Sequence, residues 1–497
     1  MPRLSLDRSS PRLLTRRSLI GVLCATTATL GARPSTVFAS GTVILASAET
    51  GIHAAFEKWA RLGGELVIDQ DFTIERPLIV SLERGRSYSL TTLGNRKLRY
   101  AGPQFHWAVC LLSRGATPLE IRGPLEIDGA DRVCMPLFVR FEGVSSSDRR
   151  DCTISGLTCR NARMIAGRSR IDGSATNAYG ATGMMLMGGF DRLLLRDVAA
   201  TNVTRAAGAS RLGSQGCAGI AVVGQLGSTA SARHVTIERF AIERVDSDDP
   251  VGSKARADMD GLLVFQSAER GGSAPIVRDG HIVNAAGRAI KIFAPGGGGL
   301  TQRIEVERSV AGPSQGAVEI AHQHGDGTIA DIMVSYSGNA HAGPTQVIGL
   351  GTNAPRSPGF AMGAALVSNI TVRDTTRVPK RALIAMQQFN PQDREARSYR
   401  IENVVDEGTS EYFFLPGSLG EYGPASLRIR GARCNLRTAL FASEDRNRAL
   451  RIDIADSTFG RGNPVPTKVM YDRRPVAPAL RVDIDMSGTV DGLRRGT

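Results

Sequence analysis

Acidic, basic and imidazole side chains gather in three short segments near the middle of the chain. The segments are Asp258-Met259-Asp260-Gly261, Arg288-Ala289-Ile290-Lys291 and Glu319-Ile320-Ala321-His322-Gln323-His324. Gly261, Ala289 and Ala317, each at the start of an apolar run, are spaced 28 residues apart. Strands stacked with that period would place Asp260 over Arg288 and Lys291 over Glu319, about 4.8 Å apart. The spacing therefore predicts one charged site shared by three turns of the chain.

These groups could hydrolyse a glycosidic bond. A glycoside hydrolase needs one carboxylic acid to protonate the leaving oxygen and one carboxylate to activate water or attack the sugar. Asp258 and Asp260 are two positions apart. On a strand they would face the same way, about 6.6 Å apart, which suits the inverting geometry.

The same groups could instead perform an elimination on a uronate sugar. Such a lyase removes the weakly acidic proton beside the sugar carboxylate and neutralises the charge that develops. Lys291 or His322 could act as the base, and Arg288 could hold the carboxylate with two hydrogen bonds.

Metal binding is an alternative for part of this set. Asp258, Asp260 and Glu319 could supply oxygen ligands to calcium, although they are spread over three turns. His322 and His324 alternate on one strand face, but two histidines without a third ligand indicate exposed polar residues rather than a metal site. We therefore expect no resident cofactor and no metal.

The predicted site combines catalytic and substrate-binding residues. The predicted catalytic residues are Asp258, Asp260, Arg288 and Lys291, and the predicted substrate-binding residues are Glu319, His322, His324 and Gln266. Structural interpretations stay open for some of them. Asp260 precedes a glycine, as in ordinary turns, and Lys291 with Glu319 could be a simple cross-strand ion pair.

A repeated pattern indicates the scaffold that positions these residues. An apolar residue, a polar residue, a turn-former and a second apolar residue recur along the chain. Clear copies begin at Ile154, Leu195, Val277, Val372 and Ile401, and looser copies begin at Ile237, Val306, Val334, Ile429, Ile454 and Ile484. A repeat of about 20–45 residues is typical of a solenoid, in which each unit buries its apolar face against its neighbours.

The repeating unit is made of strands. Residues alternate between apolar and polar, valine and isoleucine are abundant, and glycine, asparagine and aspartate punctuate the runs. A second strand follows each anchor, and the copies start at Gly183, Gly219, Gly261, Ala289, Ala317 and Ala382. We predict a single-stranded right-handed parallel β-helix, an all-β solenoid with a short N-terminal capping helix. Polar, glycine-rich insertions at 203–217, 243–257 and 294–301 are predicted to flank the charged site.

The first 39 residues are typical of an export signal. Thr15-Arg16-Arg17-Ser18-Leu19-Ile20 is a twin-arginine pattern, an apolar run follows, and Val37-Phe38-Ala39 suits a cleavage site. We predict a Tat signal peptide over 1–39, an N-terminal cap over 40–75 and the β-helix over 76–497. The protein is then periplasmic or secreted, requires the Tat translocase and has no membrane span after cleavage.

Charge favours an anionic partner. The formal net charge is +13, and the six arginines and one aspartate of residues 1–39 take it to +8 once they are removed. In an exported protein this charge favours an acidic polysaccharide, and no basic run interleaved with aromatics supports nucleic-acid binding. Six cysteines remain outside the signal, and their scatter indicates buried apolar residues rather than a disulfide framework; Cys152 and Cys159 are close enough in sequence to pair.

An amphipathic segment opens the predicted mature chain. Ile52, Ala55, Phe56 and Trp59 share one helical face, and Thr50 is a suitable N-cap. Gly63-Gly64-Glu65-Leu66-Val67-Ile68 then indicates a turn into a strand. A helix at this place would cover the otherwise unpaired edge of the first coil.

A capping helix, a Gly-Gly strand and irregular β-coils together resemble the pectate-lyase-like superfamily, over roughly residues 48–490. That resemblance implies a polysaccharide-active or polysaccharide-binding protein, since the superfamily contains lyases, polygalacturonase-type hydrolases, epimerases and non-enzymatic members. The Tat signal, the length and Asp151-Cys152-Thr153-Ile154-Ser155-Gly156-Leu157 more narrowly resemble the β-helical proteins encoded with colanic-acid-type exopolysaccharide synthesis.

The likeness to polygalacturonases is partial. Asp258-Met259-Asp260-Gly261 is similar to their Asn-x-Asp-Gly, but their paired aspartates and Gly-His-Gly in the next coil have no counterpart here. Arg288-Ala289-Ile290-Lys291 has one residue more than their Arg-Ile-Lys. The extra residue would put Arg288 and Lys291 on opposite strand faces unless a turn intervenes.

Two functions therefore remain open. The first is an exported enzyme, lyase or hydrolase, that cleaves an acidic exopolysaccharide. The second is a non-catalytic periplasmic protein that binds such a polysaccharide during its assembly.

Overall fold

The computed structural model describes most of the chain beyond residue 40. The described ranges are 41–113, 118–141, 151–164, 180–209, 217–224, 234–251, 253, 256, 259–265, 275–294, 299–309, 317–322, 327–338, 346–350, 365–376, 378–386, 397–416, 425–443, 449–460, 464–470 and 481–494.

A helix precedes the first coils. Helix α1 spans Ile52–Leu62 and buries the predicted face of Ile52, Ala55, Phe56 and Trp59. The Trp59 indole Nε1 donates a hydrogen bond to the Gly64 carbonyl at 3.1 Å, which ties the helix to the strand that follows. The burial of this apolar face confirms a helix near the N-terminus.

The N-cap prediction is wrong by one residue. Gly51, not Thr50, is the N-cap, and no side chain caps the helix. The φ of Gly51 is 149°, a conformation that glycine adopts much more readily than threonine. Gly64 is equally constrained, because its φ is 81° and an added Cβ would lie 2.3 Å from the Thr42 carbonyl oxygen.

All the paired strands run parallel. The strands of the N-terminal third are β1 Val43–Leu45, β2 Gly64–Ile68, β3 Phe72–Ile74, β4 Leu78–Leu82, β5 Tyr88–Thr92, β6 Arg96–Tyr100, β7 Phe105–Ser113, β8 Leu119–Phe141 and β9 Asp151–Met164. The strands of the middle are β10 Thr182–Gly188, β11 Arg192–Arg205, β12 Cys217–Val223, β13 His234–Ser247, β14 Met259–Phe265, β15 Ile276–Ala285, β16 Ile290–Ala294, β17 Leu300–Arg308, β18 Val318–His322 and β19 Gly327–Tyr336.

The last third continues the same order. Its strands are β20 Gln346–Leu350, β21 Ala365–Asp374, β22 Lys380–Met386, β23 Arg397–Asp406, β24 Ser410–Pro416, β25 Ala425–Arg430, β26 Leu436–Ser443, β27 Ala449–Thr458, β28 Val465–Pro466, β29 Lys468–Met470, β30 Arg481–Asp491 and β31 Leu493–Arg494. Within the described ranges, 29 strands form one sheet, and β28 pairs with β31 separately.

Strand pairing skips one element at each step, which is the topology of a solenoid. Each odd-numbered strand from β9 to β25 pairs with the next odd-numbered strand, and β10 to β24 do the same with the even-numbered ones. Ile154, Leu195, Ile237 and Val277 are Cα partners in successive coils, and all four are buried. The predicted all-β parallel solenoid with a helix near its N-terminus is confirmed.

A residue with positive φ recurs at one position of successive coils, within an odd-numbered strand or directly after it. These bend residues are in register from coil to coil, with φ between 49° and 66°: Gly156, Asp197, Arg239, Asp279, Arg303, Asp331, Asn369, Asn403, Gly431, Asp456 and Gly488. Glycine, asparagine and aspartate tolerate this conformation best. The turn-former of the repeated pattern is therefore the bend itself.

Hydrogen bonds between bend residues run along the solenoid. The Asn369 side-chain amide donates to Asp331 at 2.9 Å and accepts from the Asn403 amide at 3.1 Å. A second series of bends stacks Asn202 on Asn161, with Nδ2 and Oδ1 2.8 Å apart. These stacks pair the polar side chains of the bend residues with one another from coil to coil.

Three predicted anchors are on the wrong side of the bend. Val306, Val334 and Val372 align with Ile282, whereas the true partners of Val277 in those coils are Thr301, Ile329 and Val367. In the first of these coils the pattern was obscured because Thr301 is polar and Arg303 occupies the bend. In the other two, Ile329 and Val367 precede ordinary turn-formers, Asp331 and Asn369, and were missed. The strand Gln346–Leu350 was also missed, and Ala382 aligns one position away from the Gly261, Ala289 and Ala317 column.

Six cysteines in the described part of the chain are buried: Cys110, Cys134, Cys152, Cys159, Cys217 and Cys434. Cys152 and Cys159 form no disulfide with each other, and burial raises the pKa of both thiols. Among the described residues, no helix has the length and apolar character required to cross a bilayer.

Candidate functional site

The structure brings three of the predicted catalytic residues together. Arg288 Nη1 lies 3.2 Å from Asp260 Oδ1, and Lys291 Nζ lies 3.7 Å from Asp260 Oδ2. The Arg288 backbone N–H also donates to Asp260 Oδ1 at 3.2 Å. The Asp260 side chain is only 2% exposed, whereas those of Arg288 and Lys291 are 11% and 20% exposed.

The vertical register explains this contact. Ala218 is the partner of Asp260 in the coil before, and Leu262 is the partner of Ile290 in the coil after. Continuing that register by two residues places Arg288 beside Asp260, and the Gly261 N–H donates to the Arg288 carbonyl at 2.7 Å. The predicted stacking of Lys291 on Glu319 is also present.

A bend resolves the extra residue between the two cations. Residues 286–289 are bends and irregular backbone, and β16 begins only at Ile290. Arg288 therefore lies in the corner while Lys291 lies on the strand. Both reach the same carboxylate, which a continuous strand with opposite faces would have prevented.

A column of glycines precedes the site on the same sheet. Gly183, Gly219 and Gly261 occupy the same position in three successive coils. A Cβ on Gly261 would lie 2.5 Å from the Ala289 carbonyl oxygen and 3.0 Å from Ile282 Cγ2. The absence of a side chain there lets the corner backbone pack closely, next to Asp260.

Buried arginines brace the corner. The Arg308 guanidinium donates a hydrogen bond to the carbonyl of Gly287, the residue before Arg288. In the segment that leads into β14, Arg256 Nη2 pairs with Asp246 Oδ1 at 2.8 Å. In the preceding coil, Arg205 Nε lies 3.6 Å from Asp249 Oδ2. The first contact holds the backbone beside Arg288, and the other two join Arg256 and Arg205 to acids at and just after the end of β13.

Sequence reasoning missed Arg308, Arg205 and Arg256. They lie at the ends of odd-numbered strands or within the corner segment, and they approach the site only through the solenoid register. The predicted insertions also start too early, because 203–205 belongs to β11 and 243–247 to β13. The alternation of apolar and polar residues in those stretches was the signal for strand.

The remaining predicted residues are described in part or not at all. Glu319 and His322 lie on β18, where Glu319 is the Cα partner of Lys291 and His322 that of Ala294. Their backbones thus continue the same sheet into the next coil. Asp258, Gln266 and His324 lie outside the described residues.

The geometry assigns different capacities to the acid and the cations. Asp260 is buried and its two oxygens face two cations, so it can orient Arg288 and Lys291 but cannot itself reach a polysaccharide. The cationic side chains are the members of the cluster that retain exposure to solvent. Arginine and lysine beside each other can bind carboxylate groups through charge-assisted hydrogen bonds.

Comparison with known proteins adds no relative. No protein-family model, no curated protein and no solved structure matches this chain.

Proposed function

We propose that this protein is an exported enzyme that cleaves an acidic polysaccharide, and that it does so by elimination. The observation that supports this proposal is the cluster in which buried Asp260 positions Arg288 and Lys291, whose side chains remain 11% and 20% exposed. A uronate polymer presents a carboxylate on each acidic sugar, which Arg288 would bind and Lys291 would approach.

Elimination suits this cluster better than hydrolysis. A hydrolase needs two carboxyl groups that flank the scissile bond, and the buried Asp260 is surrounded by cations instead. In elimination, Lys291 would first release a proton to water, its neutral amine would then take the proton beside the sugar carboxylate, and Arg288 would neutralise the negative charge that develops. The glycosidic C–O bond then breaks, a C=C bond forms in the new chain end, and water protonates the leaving oxygen.

The fold supports a carbohydrate substrate by analogy. The parallel solenoid and the N-terminal helix agree with membership of the pectate-lyase-like superfamily, which we include in the proposal. The twin-arginine pattern at Arg16-Arg17 supports export to the periplasm or beyond. The basic charge of the chain supports an anionic partner there.

The test uses the exported protein and a panel of anionic polysaccharides. Reducing ends and the ultraviolet absorbance of unsaturated uronates are measured together. We expect both signals to rise with the unchanged protein. For Lys291→Met, the rate at which they rise should be at least about 100-fold lower, because the general base is lost. Arg303→Gln, in an exposed ion pair with Asp279, is the matched control and should retain activity.

A second function is favoured by the pairing of Asp260 with two cations. Because both carboxylate oxygens of Asp260 face Arg288 and Lys291, the aspartate can hold these cations in a binding surface that has no catalytic activity. In that case the protein is a periplasmic polysaccharide-binding protein of exopolysaccharide assembly. Retained binding with neither reducing ends nor absorbance would establish it, and reducing ends without absorbance would indicate hydrolysis.

A further inference from the structure

A second cluster of potential ligands lies on the odd-numbered strands, away from the candidate site. His281 is on β15, and Glu305 and Glu307 are on β17 of the next coil. One imidazole nitrogen and one oxygen from each carboxylate all lie within 4.8 Å of one another. His281 Nε2 is 3.3 Å from Glu307 Oε1.

The strand register holds these three side chains together. His281 is the Cα partner of Glu305, and Val283 is the partner of Glu307. Residues two apart on a strand face the same way, so Glu305 and Glu307 project from one side of β17. Ile282 and Val306, the residues in between, are buried in the core, which anchors both backbones and directs the cluster outwards.

The two carboxylates differ from other acids on the odd-numbered strands. Glu238 is bridged by Arg196 and Arg278, and Asp279 is paired with Arg303. In the described part of the chain, the ion pair found for Glu307 is with His281, and none joins Glu305 to a lysine or arginine. Two neighbouring carboxylates without such a cation repel each other, and a bound metal ion would remove that repulsion.

We propose that His281, Glu305 and Glu307 bind a divalent transition-metal ion such as zinc. An imidazole with two carboxylates suits zinc, manganese or iron, whereas calcium and magnesium prefer oxygen ligands alone. Zinc bonds to nitrogen and oxygen are about 2.0–2.2 Å long. Since the three ligand atoms lie within 4.8 Å of one another, side-chain shifts of about 1 Å would bring all of them into reach of one ion.

The ion would link two successive coils of the solenoid. It would join β15 to β17 through side chains, in addition to their backbone hydrogen bonds. Binding to the folded state alone stabilises that state, so the melting temperature should rise with metal concentration. This inference does not depend on the proposed polysaccharide chemistry, because the cluster shares no residue with the candidate site.

The test is metal binding by untagged protein that a chelator has freed of metal. Isothermal titration with zinc chloride should give one tight site per chain, and cobalt chloride should give a visible absorption band. His281→Gln and the double variant Glu305→Gln/Glu307→Gln should each weaken binding about tenfold or more. His234→Gln, a change of an exposed histidine elsewhere, is the matched control and should bind as the parent does.

His322 and His324 are the alternative zinc ligands that the test must exclude. Wild-type affinity in folded His281→Gln, or loss of binding only in His322→Gln/His324→Gln, would overturn the proposal. Circular dichroism and the melting temperature of each metal-free variant establish that it is folded. Retained folding with lost zinc binding in the His281 and glutamate variants alone would support it.

Discussion

Glu238 lies between arginines of the two neighbouring coils. Arg196 Nε is 2.5 Å from its Oε1, and Arg278 Nη2 is 2.5 Å from its Oε2. Burial by itself would raise the pKa of Glu238, but the hydrogen bonds from Arg278 and Arg196 outweigh it and hold the pKa below its ordinary value. The strength of the ion pairs that link these three coils therefore depends on the protonation of Glu238, and so on pH.

The sign of that dependence follows from linkage. Since the pKa of Glu238 is lower in the folded state, its contribution to the free energy of unfolding is present above the ordinary glutamate pKa of about 4.3. It is lost as the pH falls through the lower, folded-state value. We expect Glu238→Gln to lower the stability at pH 7 and to reduce the further loss on acidification. Urea denaturation at pH 7 and at about pH 3 measures both.

The matched control is Glu402→Gln, which changes an acid paired with the more exposed Arg400. It should alter the stability little at either pH. If Glu238→Gln lowered the free energy of unfolding by the same amount at both pH values, protonation of Glu238 would not contribute to the pH dependence of stability.

Asp260 is expected to affect stability as well as activity. Asp260→Asn keeps the side-chain shape but leaves Arg288 and Lys291 facing a neutral amide in a buried corner. We expect turnover to be lost, because the cations are no longer held in place. The free energy of unfolding should also fall, by about 1–3 kcal/mol. Assays of uronate release beside urea denaturation separate the two effects, and full activity would remove Asp260 from the site.

At the scale of the strand, the bend residue decides where one face ends and the next begins. Asn369 has φ 54° and belongs to a stack with Asp331 and Asn403. A Cβ disfavours this conformation, and asparagine tolerates it better than most residues. The stacked amide adds hydrogen bonds that glycine cannot make.

Two substitutions separate these contributions. Asn369→Gly keeps the conformation and removes the side-chain hydrogen bonds, whereas Asn369→Ala removes the hydrogen bonds and adds conformational strain. We expect alanine to be less stable than glycine by about 1 kcal/mol. Urea denaturation of both variants gives the difference. Equal stability would mean that the bend imposes no strain on a side chain.

The bends also show which elements a sequence can reveal. Gly156, Asp197 and Asn403 are ordinary turn-formers, and the pattern around them predicted real bends. Arg303 gives no such signal, so the anchor of its coil was assigned to Val306 on the second face instead of Thr301. Residue type predicts a bend only where the residue is one that readily adopts positive φ. At position 303 the side chain instead forms an ion pair with Asp279, which favours arginine.

At the scale of the whole molecule, a buried charge cluster connects both kinds of strand. Lys380 Nζ on β22 lies 2.8 Å from Asp374 Oδ2 on β21 and 3.0 Å from Asp406 Oδ1 on β23. All three side chains are excluded from solvent. Ser410 donates a further hydrogen bond to Asp406 at 2.8 Å. This buried charge cluster therefore joins two successive coils, and it joins the odd-numbered strands to the even-numbered ones.

Removal of the Lys380 charge should strongly lower the free energy of unfolding. Lys380→Met leaves two buried carboxylates without their cation, and breaking such a cluster costs about 3–5 kcal/mol. Urea denaturation measures the loss. The control is Arg451→Met, which disrupts the exposed pairs with Asp453 and Asp485 and should leave the unfolding midpoint unchanged. Similar midpoints for the two variants would contradict a stabilising role for the buried cluster.

The scaffold was more predictable than its chemistry. The 28-residue spacing placed Asp260 near Arg288, because register in a parallel stack is set by backbone geometry. Burial of Asp260 was not predictable, since the corner at 286–289 and the Gly261 backbone decide it. The His281 and Glu305 pair escaped notice because the coil between them is 24 residues long.

The connection from odd-numbered to even-numbered strands differs from coil to coil. β9 ends at Met164 and β10 begins only at Thr182, whereas β15 ends at Ala285 and β16 begins at Ile290, yet β9, β11, β13 and β15 keep the same register. Coil alignment is thus secured by the bends and their stacked side chains, independently of the length of this stretch. The stretch can serve as an exchangeable cassette: recognition of a new polymer could evolve, or be engineered, by swapping it while the frame stays intact.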